Sequence, residues 1–187
     1  MRYASVLMPQ EAIPTKANRQ QIIEIARSWG PRRDDAGKPI PGTGTPWRHQ
    51  GNTKHLGADC EGFIEGVFRE GGYVEVIEIV RNYRRREDGS LMLALLQESL
   101  DFVAGSLDRE PVDMSLALPA DIFAFGDESL RMPDRPRHLG IYSEQRTDGV
   151  HYVIHMGDEQ HGLVEHRLDL RWLRRVHSVW RVRGIDG

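Results

Sequence analysis

The hydrophobic pattern of this chain changes period at Pro119, and that change limits the architectures open to it. Before it, Ile22, Ile25, Ala26 and Trp29 recur at helical spacing. Cys60, Phe63, Ile64, Val67 and Phe68 fall at i, i+3, i+4, i+7 and i+8, the apolar face of a second helix. After it, DIFAF, HLGIY, HYVIHM and GLVEHRL are short, rich in branched and aromatic residues, and separated by Gly, Asp and Pro, as antiparallel strands are. Helices followed by strands predict an α+β domain in which N-terminal helices pack on one antiparallel β-sheet.

Punctuating residues set the expected boundaries. Gly30 and Pro31 stop a first helix over residues 18–29, and Gly71 and Gly72 stop the second. Ser90 can cap a third helix over residues 91–104, ended by Gly105. The tail RWLRRVHSVWRVRG reads as a short helix and then a strand around residues 179–182. Residues 30–46, GPRRDDAGKPIPGTGTP, hold four glycines and four prolines, which excludes regular helix and central strand and reads as a loop or insertion. Residues 74–117 read as a second, helical insertion, and a length of 187 residues suits a single domain over 1–187.

Composition narrows the function. At 39% hydrophobic residues the chain can bury enough apolar surface to fold, and a formal charge of -3 gives no bulk drive toward nucleic acid or anionic lipid. The basic run RNYRRR at residues 81–86 is followed by Glu87 and Asp88 and reads as a solvated helix face, so no nucleic-acid partner is expected. No apolar run is long enough to cross a membrane, and the opening MRYASVLMPQE is too short and too soon acidic for a signal peptide. The expectation is a chain made and kept soluble in the cytoplasm, with no membrane insertion.

Cys60 is the only cysteine, which forbids an intrachain disulfide and a multi-cysteine zinc site. It stands where its helix begins, and there unpaired amides and the helix dipole favour the thiolate, the nucleophilic form. Against that stand the Asp59 carboxylate, which opposes ionisation, and the ordinary behaviour of a free cysteine as a small buried apolar side chain. A cysteine nucleophile needs a base and a group that holds the base's tautomer. Strand alternation puts His138, Gly140 and Tyr142 on one face, and His151, Val153 and His155 on one face of the next strand. A hairpin that sets Tyr142 opposite His151 also sets His138 directly opposite His155. A tight turn at Asp148 and Gly149 would pair Thr147 with Val150 and displace the two histidines, yet keep them on a common face. Metal binding is the competing chemistry, because His151, His155, His161 and His166 crowd near Asp158 and Glu159. On a strand, however, His151 and His155 lie roughly 13 Å apart at about 3.3 Å per residue, too far to share an ion. No HExxH occurs, and neither a metal nor a cofactor is expected.

The order of these motifs resembles a known family. ADCEGFIEGVF resembles the nucleophile helix of the NlpC/P60 cysteine peptidases, whose core is an Asp-Cys-x-Gly-hydrophobic signature. RHLGIY resembles their base-bearing strand, and YVIHM the strand of the third residue. GTPWRHQG followed by GADCEGFIEGV is similar to the phage-encoded branch associated with tails or gene-transfer particles. The resemblance covers residues 17–68 and 121 to the end. It implies a papain-like core with Cys60 as nucleophile, His138 as general base and His155 as the orienting third member. It also implies Asp59 and Trp47 at the substrate, Asp59 helping to receive a free amine. Trp47 stands where the family usually carries tyrosine, whose hydroxyl contributes near the oxyanion; an indole N–H donates from a different place. The implied reaction is hydrolysis of peptide bonds in cell-wall peptidoglycan stem peptides, of γ-D-glutamyl-diaminopimelate type. Phage tail proteins are the implied partners, and the virion tail is a second location. Two other functions suit the same residues: a non-catalytic structural or adaptor subunit of a tail, and an acyltransferase or amidase using the same trio.

Overall fold

The computed structural model describes residues 16–73, 89–105, 112–126 and 135–185. The basic run at 81–86, the rest of 74–88, and residues 106–111 of the expected helical insertion lie outside these. Helix α1, Arg19–Ser28, opens with a capping box: Asn18 accepts from the Gln21 amide while the Gln21 side chain accepts from the Asn18 amide. The stretch from Gly30 to Pro46 is irregular, as its glycines and prolines require, with one isolated bridge between Arg33 and Pro39. A two-stranded ladder, β1 (Asn52–Thr53) with β2 (Gly57–Ala58), follows and leads into α2, Cys60–Glu70.

The third helix is shorter than its apolar pattern predicts. Helix α3 spans Ser90–Ser99, and Asp101–Gly105 is strand β3, paired antiparallel with the last strand. Leu100 is already extended and buried, and Phe102 meets the Trp180 ring edge-on across the ladder. That cross-strand contact offers Phe102 more than a helical turn would, and β-branched and aromatic residues such as Val103 and Phe102 lose rotamer freedom in a helix. Ser90 is the first helical residue rather than the cap. Gly89 occupies the cap position in the left-handed region at φ 80°, with no side-chain cap.

Strands β4 (Ile122–Gly126), β5 (Pro136–Gln145), β6 (His151–Met156), β7 (Leu163–Arg167) and β8 (Val176–Arg181) complete an antiparallel sheet of six strands, ordered β3-β8-β4-β5-β6-β7. A short helix α4, Leu170–Leu173, precedes β8, which begins three residues earlier than the expected 179. The strands bury both faces. On one, Ile122, Ala124, Leu139, Ile141, Ile154 and Met156 pack with Ile22, Ala26, Phe63, Val67 and Phe68 of α1 and α2. On the other, Phe123, Phe125, Tyr142, Val153 and Val179 form a second cluster against which Trp172 of α4 packs. The architecture is the expected α+β, with helices α1 to α3 on one face of the sheet.

Candidate active site

Helix α2 delivers Cys60 at its first turn because several local devices fix where the turn begins. Asp59 is the N-cap: its Oδ1 accepts from the Gly62 amide at 2.9 Å and its Oδ2 from the Gln50 amide at 2.6 Å. The Asp59 amide in turn donates to the Gly51 carbonyl at 3.1 Å, so the 50–51 turn and the helix start hold one another. Gly62 is required here, since a Cβ at that position would overlap the Gly51 carbonyl. Gly66 faces the Trp29 indole, where a Cβ would also overlap the ring. Trp47 lies beside the same entry. It bridges to Ala58, stacks on His49 with ring centroids 6.4 Å apart, and is half-buried against the core.

The sulfur of Cys60 lies against strand β5, where the Leu139 amide points at it. That amide belongs to the peptide group joining His138 to Leu139, so the thiol rests on the backbone of the expected base. Among the described residues no hydrogen bond links Cys60 to His138.

His138 and His155 do meet. His138 Nε2 and His155 Nδ1 are 2.8 Å apart, with the rings nearly perpendicular. The register that joins them is neither of those weighed from the sequence. Tyr142 pairs with Val153, and a bulge between Tyr142 and Glu144 shifts the pairing toward the turn. Carried along the strands, this register faces His155 with Gly140, where an added Cβ would lie 3.2 Å from the His155 Cβ. The two histidines are therefore diagonal rather than direct neighbours, on the common face that alternation gives them. A third ring, not foreseen from the sequence, extends the chain: His155 Nε2 lies 2.8 Å from His166 Nε2 on β7. Its signal was present in the alternation of LVEHR, but only the pairing of His166 with Val153 brings it beside His155.

Electrostatics oppose resting charges. Burial first, then the Glu61 and Asp59 carboxylates, push the Cys60 thiol well above its ordinary range, outweighing the Leu139 and Glu61 amides that act the other way. The thiolate favoured by helix position alone is thus not the resting form. Burial, then His155, Arg175 and His166, hold His138 well below the ordinary imidazole value. Burial takes His155 down to about 4, although the Met156 carbonyl at 2.9 Å acts in the opposite direction. These directions leave Cys60 a thiol and the His138 and His155 rings neutral near neutral pH. A cavity of about 490 Å³ opens on the imidazole side, lined by Arg137, His138, His155, His166, Trp172 and Arg175 among others; Cys60 is not in its wall.

No family model matches the chain, and no curated protein matches it. Solved structures do. The chain is similar to an NlpC/P60 family protein from Bacillus cereus ATCC 10987, with 18% identity and a TM-score of 0.56 over 91% of this chain and 41% of that one. It is similar to a protein described as similar to lipoprotein, NLP/P60 family, from Staphylococcus aureus subsp. aureus Mu50, with 18% identity and a TM-score of 0.52 over 95% and 46% of the two chains. The NlpC/p60 domain of peptidoglycan hydrolase SagA aligns at 17% identity and a TM-score of 0.47, over 87% of this chain and 98% of that domain. The chain spans less than half the length of the first two. Its helices, its six-stranded antiparallel sheet and these two likenesses give it the NlpC/P60 fold.

Proposed function

We propose that the chain is a cysteine peptidase of NlpC/P60 type that hydrolyses peptide bonds in bacterial cell-wall stem peptides, of γ-D-glutamyl-diaminopimelate type. The observation that carries this reading is the meeting of two distant segments, with the Cys60 sulfur on the His138–Leu139 peptide group and His138 bonded through Nε2 to His155. His138 Nε2 is engaged with His155, which leaves Nδ1 as the nitrogen assigned to take the thiol proton. In the reaction Cys60 Sγ attacks the scissile carbonyl carbon as its proton passes to His138 Nδ1. The protonated ring then gives that proton to the leaving amine, and water, deprotonated by the same nitrogen, releases the acyl group. The Cys60 amide, at a helix start where no intrahelical acceptor exists, serves the oxyanion. Trp47 and Asp59 line the substrate side. Asp59 Oδ2, already accepting from the Gln50 amide, is the oxygen turned toward His49, 3.9 Å away, and is the one assigned to a substrate amine.

General-base contacts commonly tighten only when substrate is bound, which accommodates a resting site without a Cys60–His138 hydrogen bond. That missing bond and the raised thiol also favour a second reading, a non-catalytic adaptor that keeps the fold. The ordered motifs GTPWRHQG and GADCEGFIEGV support assignment to the phage-encoded branch, hence synthesis in the cytoplasm and association with tail proteins. Purified stem peptides incubated with the chain under reducing conditions separate the readings by mass spectrometry. A new free amine with its matching acid is the expected result. Transfer of the acyl group to an added amine would instead identify an acyltransferase, and intact peptides would leave the adaptor.

A further inference from the structure

His166 closes a chain of three imidazoles, and its outer end meets a backbone carbonyl. Its Nδ1 lies 2.7 Å from the Arg167 carbonyl oxygen. A carbonyl only accepts, so this nitrogen carries the proton. In a neutral ring Nε2 is then bare and accepts from His155 Nε2–H across 2.8 Å. By the same rule the Met156 carbonyl, 2.9 Å from His155 Nδ1, calls for a proton there, so the two carbonyls make opposing demands on the chain; with the His166 end governing, His155 Nδ1 is bare and accepts from His138 Nε2–H, again across 2.8 Å. His138 Nδ1 is left without a proton.

We infer that His166 is a positioning residue of this site, which fixes the tautomers of His155 and His138 and takes up the charge when the thiol proton moves. The inference rests on the peptidase reading for its purpose, not for its geometry. When the thiol proton reaches His138 Nδ1, the His138 Nε2 proton passes to His155 Nδ1, and the His155 Nε2 proton passes to His166 Nε2. Three protons each move one place, sulfur gains a negative charge, and His166 becomes the imidazolium. The reverse shift returns a proton through His138 to the leaving amine.

The carbonyls favour this charged state. In the neutral chain the Met156 oxygen, 2.9 Å from His155 Nδ1, faces a bare nitrogen; after the shift it receives a hydrogen bond while Arg167 keeps its own. Groups that hold only the charge-separated arrangement lower the barrier rather than the ground state. His155 is buried, whereas His166 is half-buried at the cavity, where solvent can reach the ring. The charged and titratable groups lining the cavity around it are Arg137 and Arg175, with Asp158 and His161 from the β6–β7 connection. Trp172 packs on both rings, with centroids 5.1 Å from His155 and 4.7 Å from His166.

The test is the imidazole nitrogen spectrum of the histidine-labelled full chain, read by NMR near neutral pH without substrate. Expected are His166 protonated at Nδ1, and His155 and His138 at Nε2. In His166→Phe, which keeps a ring beside Trp172, His155 turns to Nδ1–H on the Met156 carbonyl and His138 follows. In the stem-peptide assay the same variant loses tenfold or more in kcat with KM held. A wild-type His155 protonated at Nδ1, unchanged tautomers in the variant, or unchanged kcat in a folded variant overturns the inference. The wild-type spectrum decides if the variant does not fold. A chain that cleaves no stem peptide refutes the peptidase reading while leaving the tautomers to be read; altered expectations in the spectrum with cleavage intact refute only the role of His166.

Discussion

Cys60 illustrates how two local influences compete at one atom. Its place at the start of α2 favours the thiolate, but burial and two adjacent carboxylates outweigh that. Iodoacetamide should therefore label the free chain slowly through neutral pH, with the rate climbing only above about pH 8.5, as mass spectrometry of the adduct would measure. A labelling plateau below about pH 8 would contradict the resting thiol. His155 has the opposite sign of consequence. Its folded-state value of about 4 lies below the 6.5 of an exposed imidazole, so the unfolded chain binds the proton more readily. Its contribution is fully present above about pH 6.5 and is lost as pH falls toward about 4, up to about 3 kcal/mol. Urea titrations near both ends of that window should give a smaller loss in His155→Gln than in the wild type; equal losses would remove His155 as the cause. The common face of His138 and His155 was legible from alternation alone. His166 was not, since nothing in LVEHR says which residue of the neighbouring strand it will oppose.

At the scale of elements, the start of α2 is set by a loop that crosses its first turn. Gly62→Ala should force the Gly51 carbonyl away, at a cost of about 1–3 kcal/mol, typical of overpacking. For a chain of this size that lowers Tm by roughly 2–4 °C per kcal/mol, and Cys60 moves off β5. An unchanged melting temperature would show that the loop yields freely. Helix α2 was legible because its apolar face is long and its caps are local. Helix α3 and strand β3 were not separable, because LMLALLQESLDFVAG is apolar at both periods and only pairing with β8 breaks it at Ser99. The β5–β6 register was also out of reach. The bulge beyond Tyr142 depends on how the long turn closes, and a two-residue slip preserves every face.

For the whole molecule, one buried carboxylate ties the first helix to the sheet. Asp121 accepts from Arg19 Nη1 at 3.1 Å, from Arg181 Nε at 2.9 Å and Nη2 at 2.6 Å, and from the Leu118 amide at 2.9 Å. Asp121→Ala would leave the buried Arg19 without its carboxylate, and should cost about 3–5 kcal/mol in a urea titration. A loss under about 1 kcal/mol would mean that the helix docks through its apolar face alone. The α+β order was legible in the change of period, since helices and strands occupy separate stretches of the chain. The second core, under α4, was not, because it forms only when Phe123, Phe125 and Val179 from separate strands share a face. The proposed partnership of Cys60 with His138 likewise depends on the folded whole. It is tested most directly by mixing the chain with an ester analogue of a stem peptide and weighing the intact protein. One acyl group per chain, mapped to Cys60, absent in Cys60→Ala and slowed about 100-fold or more in His138→Ala, is the expected result. Acylation at another residue, or the same acylation in Cys60→Ala, would contradict the nucleophile on which the proposed chemistry depends.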